Sequence, residues 1–304
     1  MERVRKQLGC TQELVSKYHG GRDIAVAILD TGIAMHPDFE GRVLAFCDFV
    51  NHKKLMYDDC GHGTHVAGCL SGDGRASEGR FRGIAPETGL VVGKVLDQNG
   101  DGMILNMMAG LNWILEMRER YQIKIVNISI GTGAPMSTGK LKPLLNLVTQ
   151  ACKEGLIVVC AAGNCGPKEM SLSPLGALRE VITVGCHEGG YLGEREDLCE
   201  HYSGRGPSIY DICKPDVVAP GTEIVSCNAF FSKRGKYLKK AYIAKSGTSM
   251  STPIVSGAIA LLLKKEPNLS AEEVKRRLQY TALDLKEPRF KQGSGMLQIN
   301  SLLT

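Results

Sequence analysis

Residues 24–32, Ile24-Ala-Val-Ala-Ile-Leu-Asp-Thr-Gly32, set the architecture of this chain. Six apolar residues without polar alternation suit a strand covered on both faces, and the run breaks at once into an aspartate beside a glycine turn. The same habit recurs at residues 89–96, 123–130, 156–162, 181–185 and 216–219. Between these runs, residues 103–121 and 140–155 have helical spacing, and the second closes on Gly155 as a C-terminal cap. Residues 248–265 are almost wholly apolar in their middle and predict a buried helix. Ser270-Ala-Glu-Glu273 then reads as a capping box that opens a last helix to about Leu283. Alternation of this kind predicts a doubly wound α/β fold, with a mostly parallel central sheet and helices on both faces.

No linker, repeat or low-complexity segment divides the 304 residues, so one domain over residues 1–304 is expected, with residues 1–20 as an N-terminal extension. The hydrophobic share of 43% and charged share of 23% exclude disorder and leave room for a large core. The 36 glycines exceed the ~7% norm without a triplet period, which points to many sharp turns rather than collagen. A net charge of +5, spread along the chain, is too weak to argue for nucleic acid. No apolar run reaches the ~18 residues that span a bilayer, so no membrane partner is expected. Eleven cysteines, without any C-x-x-C, read mainly as small buried hydrophobes in a reducing compartment; a cytoplasmic protein is expected. Residues 232–245 concentrate Lys233, Arg234, Lys236, Lys239, Lys240 and Lys245. They read as a solvated hairpin, with a docking surface for acidic partners as the alternative.

Ligands of a doubly wound sheet bind beyond the carboxyl ends of its strands, which directs attention to three segments. Asp30-Thr-Gly32 ends the first strand. An aspartic protease would need a second such carboxylate, and this chain has one copy. Asp58-Asp-Cys-Gly-His-Gly-Thr-His65 sets His62 between glycines as a general-base candidate, while His65 reads as a core residue of the following helix. Neither H-E-x-x-H nor another zinc spacing is present, and Cys186, His187, Cys199 and His201 cluster too loosely for zinc. Ser246-Gly-Thr-Ser-Met-Ser-Thr-Pro253 puts Ser249 at a helix N-terminus, where unpaired N–H groups favour developing negative charge. It is not a G-x-S-x-G elbow, because Ser251 stands two residues later. Taken singly, each segment also has a plain structural reading as a turn cap, a core histidine or a helix cap.

Together they stand in the order Asp, His, Ser, and the chain resembles the subtilisin family of serine proteases. Matching residues are Ile28-Leu-Asp-Thr-Gly32, His36-Pro-Asp38, Gly61-His-Gly-Thr-His-Val-Ala-Gly68, Ala161-Ala-Gly-Asn164, Lys214-Pro-Asp-Val-Val-Ala-Pro-Gly221 and Gly247-Thr-Ser-Met-Ser-Thr-Pro253. They cover roughly residues 24–263. Gly79-Arg-Phe-Arg-Gly-Ile-Ala-Pro86 and the lack of a secretion signal resemble the bacterial intracellular and AprX-like branch.

The resemblance implies a serine endopeptidase acting on proteins or peptides through an acyl-enzyme, with Asp30, His62 and Ser249 as the triad. Asn164 and the Ser249 backbone N–H would form the oxyanion hole. Substrate would lie extended between Gly100-Asp101-Gly102 and Ser129-Ile130-Gly131, with Ala161-Ala162-Gly163 walling the pocket before the cut. Those small apolar walls favour large uncharged side chains, and Asp101 could favour basic residues further from the cut. No cofactor is required for the chemistry. Calcium is the candidate metal, since Asp38 matches a family ligand position, although the loop 71–79 differs in length and contains Arg75. Asp30 is preceded by 29 residues that include the first strand, too few for the full prodomain of secreted relatives. Cys60 and Cys165 depart from the family pattern beside His62 and Asn164, as does Ser251 where alanine is more usual. Two alternatives use the same residues and stay open: a catalytically silent peptide-binding homologue, and a protease dedicated to maturing one precursor by removing its leader.

Overall fold

The computed structural model describes residues 1–130, 138–209, 212–234 and 237–304. Two short helices, α1 (Glu2–Gln7) and α2 (Gln12–Lys17), lead into β1 (Ala25–Asp30), β2 (Val43–Asp48), α3 (His62–Ser71) and β3 (Gly89–Lys94). The chain continues through α4 (Ile104–Tyr121), β4 (Ile123–Ile128), α5 (Thr138–Lys153), β5 (Ile157–Ala161), β6 (Ile182–Cys186) and β7 (Val217–Ala219). It ends with β8 (Ile224–Cys227), β9 (Ser232–Arg234), β10 (Tyr237–Lys239), β11 (Tyr242–Lys245), the long α6 (Thr248–Lys265) and α7 (Ala271–Thr281), followed by two short helical turns.

Strands β1 to β7 form one parallel sheet in the order β2-β3-β1-β4-β5-β6-β7. Every residue of β1 is buried, which explains its unbroken apolar run. Alternate residues serve opposite layers. Val26 and Ile28 join the core made with α3 and α6, and Ala27 and Leu29 join the core of α4 and α5. Winding reverses beside β1, because β3 and β2 lie on one side of it and β4 to β7 on the other. Its carboxyl end is therefore the switch point where such sheets bind ligands, and Asp30 is its last residue.

The sequence did not predict β2. It is an edge strand, half-buried with a shifted register against β3, so its pattern carries neither a continuous apolar run nor clean alternation. Residues 1–20, expected as an extension, send Val4, Leu8, Val15 and Tyr18 into the main core, and the Tyr18 hydroxyl donates to the Leu303 carbonyl at 3.0 Å. The capping box at α7 is present. Ser270 Oγ accepts from the Glu273 N–H, and Glu273 returns the bond to the Ser270 N–H at 2.8 Å. The helix stops at Thr281, two residues earlier than expected. The basic segment forms the antiparallel hairpin β9–β10, and β11 pairs with β8. Among the described residues, no helix is long and apolar enough to cross a membrane.

Candidate active site

Asp30 is fully buried at the end of β1, and its Oδ1 accepts from the Thr31 N–H and faces His62 Nδ1 at 2.7 Å each. His62 is the first residue of α3, presented by Gly61 at φ 81°, a left-handed turn that favours glycine. Gly63 lets the helix start this close to β1, since a Cβ there would stand 2.2 Å from the Gly32 carbonyl oxygen. The His62 side chain is 24% exposed. Burial disfavours its charged form, but the charge and hydrogen bond of Asp30 outweigh that and raise its pKa above the ordinary histidine value. Lys245 opposes the rise.

Two charged residues that sequence reasoning did not single out hold this corner together. The buried Asp58 carboxylate accepts from the Thr31 hydroxyl (2.8 Å), the Gly61 N–H (2.7 Å), the Cys60 N–H (3.2 Å), and the N–H and hydroxyl of Thr64 (2.8 and 2.6 Å). It satisfies the free donors at the start of α3 and so fixes where His62 projects. Lys94, wholly buried, donates to the Thr31 carbonyl (2.7 Å), the Leu96 carbonyl (2.8 Å) and Asp59 Oδ1 (2.6 Å). One ammonium thus ties the end of β1, the start of the Gly100 segment and the loop before His62. The doubled acid Asp58-Asp59 was the available sequence signal.

Ser249 is the second residue of α6, 9% exposed, in the first turn where backbone N–H groups lack helical partners. The helix packs on α3. Asn164 follows β5, and its Oδ1 accepts from both the N–H (3.1 Å) and the hydroxyl (3.0 Å) of Thr248. That fixes the amide with its nitrogen beside Gly247, where a Cβ would stand 3.3 Å from Nδ2. A donor next to the first turn of α6 suits an oxyanion. Among the described residues no hydrogen bond joins His62 to Ser249. Serine–histidine contacts are often long without substrate.

Gly100 is half-buried and Asp101 and Gly102 are exposed, in a loop closed by the Asp97 N–H donating to the Asp101 carbonyl at 2.8 Å. Ser129 is buried and its Oγ accepts from Asn127, Ile130 is half-buried, and Gly131 lies outside the described residues. Ala161, Ala162 and Gly163 are buried, and the carbonyls of Ala162 and Gly163 accept from the N–H groups of Ser173 and Gly204 at 2.7 Å. Cys60 is half-buried, with its thiol pKa raised by burial, and Cys165 is exposed. Ser251 is absorbed by hydrogen bonds to the carbonyls of Ala219 and Pro220. His65 is wholly buried against the Ile224 carbonyl at 2.8 Å, and burial pushes its pKa down to about 3, a structural histidine.

Asp38 does not fit the calcium expectation. Its buried carboxylate already accepts from the N–H groups of Gly74 (3.1 Å) and Ala76 (3.0 Å), from the Tyr242 hydroxyl (2.8 Å) and from the Cys227 thiol (3.6 Å). Calcium needs six to eight oxygen lone pairs, and here donor hydrogens point where those would have to be. His36 and Cys227 also lie near enough to Asp38 to suggest a metal cluster, yet His36 Nδ1 accepts from the Asp38 N–H and its Nε2 faces the Ala241 carbonyl.

The subtilase family model matches residues 21–296. Serine protease AprX of Bacillus subtilis (strain 168) is 39% identical over 269 residues, which cover 85% of this chain and 61% of that relative. The chain therefore spans less than two thirds of that relative's length. The major intracellular serine protease of the same organism is 33% identical over 303 residues, covering 95% of this chain and 85% of the relative. Among solved structures, sphericase superposes with a TM-score of 0.78 at 27% identity, covering 94% of this chain and 97% of that one. By sequence match and by fold, this chain belongs to the subtilase family.

Proposed function

We propose that the chain is a serine endopeptidase that hydrolyses proteins or peptides through an acyl-enzyme, with Asp30, His62 and Ser249 as its triad. The observation that carries the reading is the 2.7 Å contact between buried Asp30 and His62 at the switch point of the sheet. In the mechanism, Ser249 Oγ attacks the peptide carbonyl while His62 Nε2 takes its proton and later returns it to the leaving amine. Asp30 keeps Nδ1 protonated and stabilises the imidazolium, which agrees with the raised pKa of His62. Asn164 Nδ2 and the Ser249 N–H receive the oxyanion, and the other Asn164 amide atom is already occupied by Thr248. Water then attacks the ester with His62 again as base. The chemistry uses protein groups and water. Substrate follows the edges at Gly100, Asp101, Gly102 and Ser129, Ile130, Gly131, with Ala161, Ala162 and Gly163 as pocket wall.

Digestion of an unfolded protein by wild type and by Ser249→Ala tests the reading. Wild type is expected to release peptides and the variant to lose at least about 10³ of the rate. Equal digestion by both, or none by wild type, would reject it.

A further inference from the structure

The basic segment lies beside the cleft. Phe230 is 61% exposed, and its ring abuts Gly61, the residue before His62, so closely that a Cβ there would stand 3.0 Å from Cε2. Phe231 continues into a groove of about 650 Å³ that it lines with Met35, Phe39, Met56 and Leu238. That volume falls within the range of sites that enclose a small ligand, so it exceeds what one side chain needs. Met35 is 73% exposed on its wall. Ala34 lines the groove, and its N–H donates to the hydroxyl of Thr64, two residues past His62, at 3.0 Å, so the groove lies beside the cleft.

Its rim is basic. Lys53 and Lys54 stand on the loop that carries Met56, Lys239 and Lys240 follow Leu238, and half-buried Lys245 ends β11 four residues before Ser249. Among the described residues none of these five forms an ion pair, and the carboxylates nearby are engaged elsewhere. Glu40 pairs with Arg75, Asp59 with Lys94, and Asp48 accepts from Tyr57. Positive charge around an open apolar groove is complementary to an acidic occupant.

The turn before His62 indicates which half of the substrate meets it. Cys60 Sγ lies toward Gly100, on one of the two proposed substrate edges beside the pocket before the cut, whereas Gly61 lies toward Phe230. The leaving amine takes its proton from His62, so the chain after the cut runs on toward Phe230.

We propose that this groove binds the substrate segment C-terminal to the cut, and that it selects a large apolar residue flanked by carboxylates. The proposal rests on the peptidase reading above, and the test keeps the two apart. A peptidyl p-nitroanilide has no residues after the cut, so its hydrolysis by wild type reports the peptidase alone. Quenched fluorescent peptides with one shared acyl half then carry, after the cut, either Glu and Asp around a Phe, the same with Gln and Asn, or the acidic pair around Gly. The acidic Phe peptide is expected to be cut with about tenfold higher kcat/KM than either other, chiefly through KM. That advantage should shrink between about 0.05 and 0.5 M salt, because Lys53, Lys54, Lys239 and Lys240 are exposed and screened. It should fall to near unity in Lys239→Glu/Lys240→Glu, once circular dichroism shows that variant folded. Should the variant not fold, the salt dependence of wild type decides. Equal kcat/KM for acidic and amide peptides, with p-nitroanilide hydrolysed, overturns the groove. No hydrolysis of any substrate overturns the peptidase reading and the groove with it.

Discussion

Asp30 holds His62 by a hydrogen bond and by charge, and the two effects separate in a pH profile. Burial alone would lower the His62 pKa, so its net rise is the work of Asp30. The active form needs neutral imidazole. Activity is therefore lost as pH falls through a value above the ordinary histidine pKa. Asp30→Asn removes the charge and reverses the tautomer preference. Its expected effect is a fall in kcat of about 10⁴, the loss that the same exchange causes in other triad proteases, with the acid limb of kcat/KM moved to lower pH. A pH–rate profile of both forms checks this; an acid limb that stays in place would show that Asp30 does not set the base.

At the scale of elements, the start of α3 is the critical joint. Asp58 accepts five hydrogen bonds there, from Thr31, Cys60, Gly61 and Thr64. Asp58→Asn keeps the shape but removes the charge and turns one acceptor into a donor facing N–H groups. The expected cost is about 2–3 kcal/mol, read as a lower thermal midpoint. A loss in kcat/KM should accompany it, because His62 loosens. A calorimetric midpoint equal to wild type would contradict this role. Neither Asp58 nor Lys94 was readable as such a joint. Lys94 interrupts an apolar run, and its partner Thr31 is 63 residues away in sequence, a separation that no periodicity reports. By contrast β1, β3, β4, β5, β6 and β7 were legible because their residues are almost all buried, and β2 was not because most of its residues are only half-buried. The triad candidates were legible through their glycine contexts, which the backbone requires at Gly61 and Gly63.

At the scale of the whole molecule, two hydrophobic layers enclose the sheet, and the N-terminal helices and C-terminal residues close one of them. The Asp38 cluster pins the loop 71–79 to this layer through protein donors alone. The thermal midpoint should therefore be the same in excess calcium and in chelator, where a filled site would give a clear rise. A calcium-dependent rise of several degrees would contradict the assignment. The central claim is that one serine, Ser249, is activated by this frame. A fluorophosphonate probe followed by peptide mass spectrometry tests it most directly. The account predicts a single adduct on Ser249 in the folded protein, absent after denaturation and in Ser249→Ala. No adduct in the folded protein, or an adduct on another residue that survives Ser249→Ala, would contradict it.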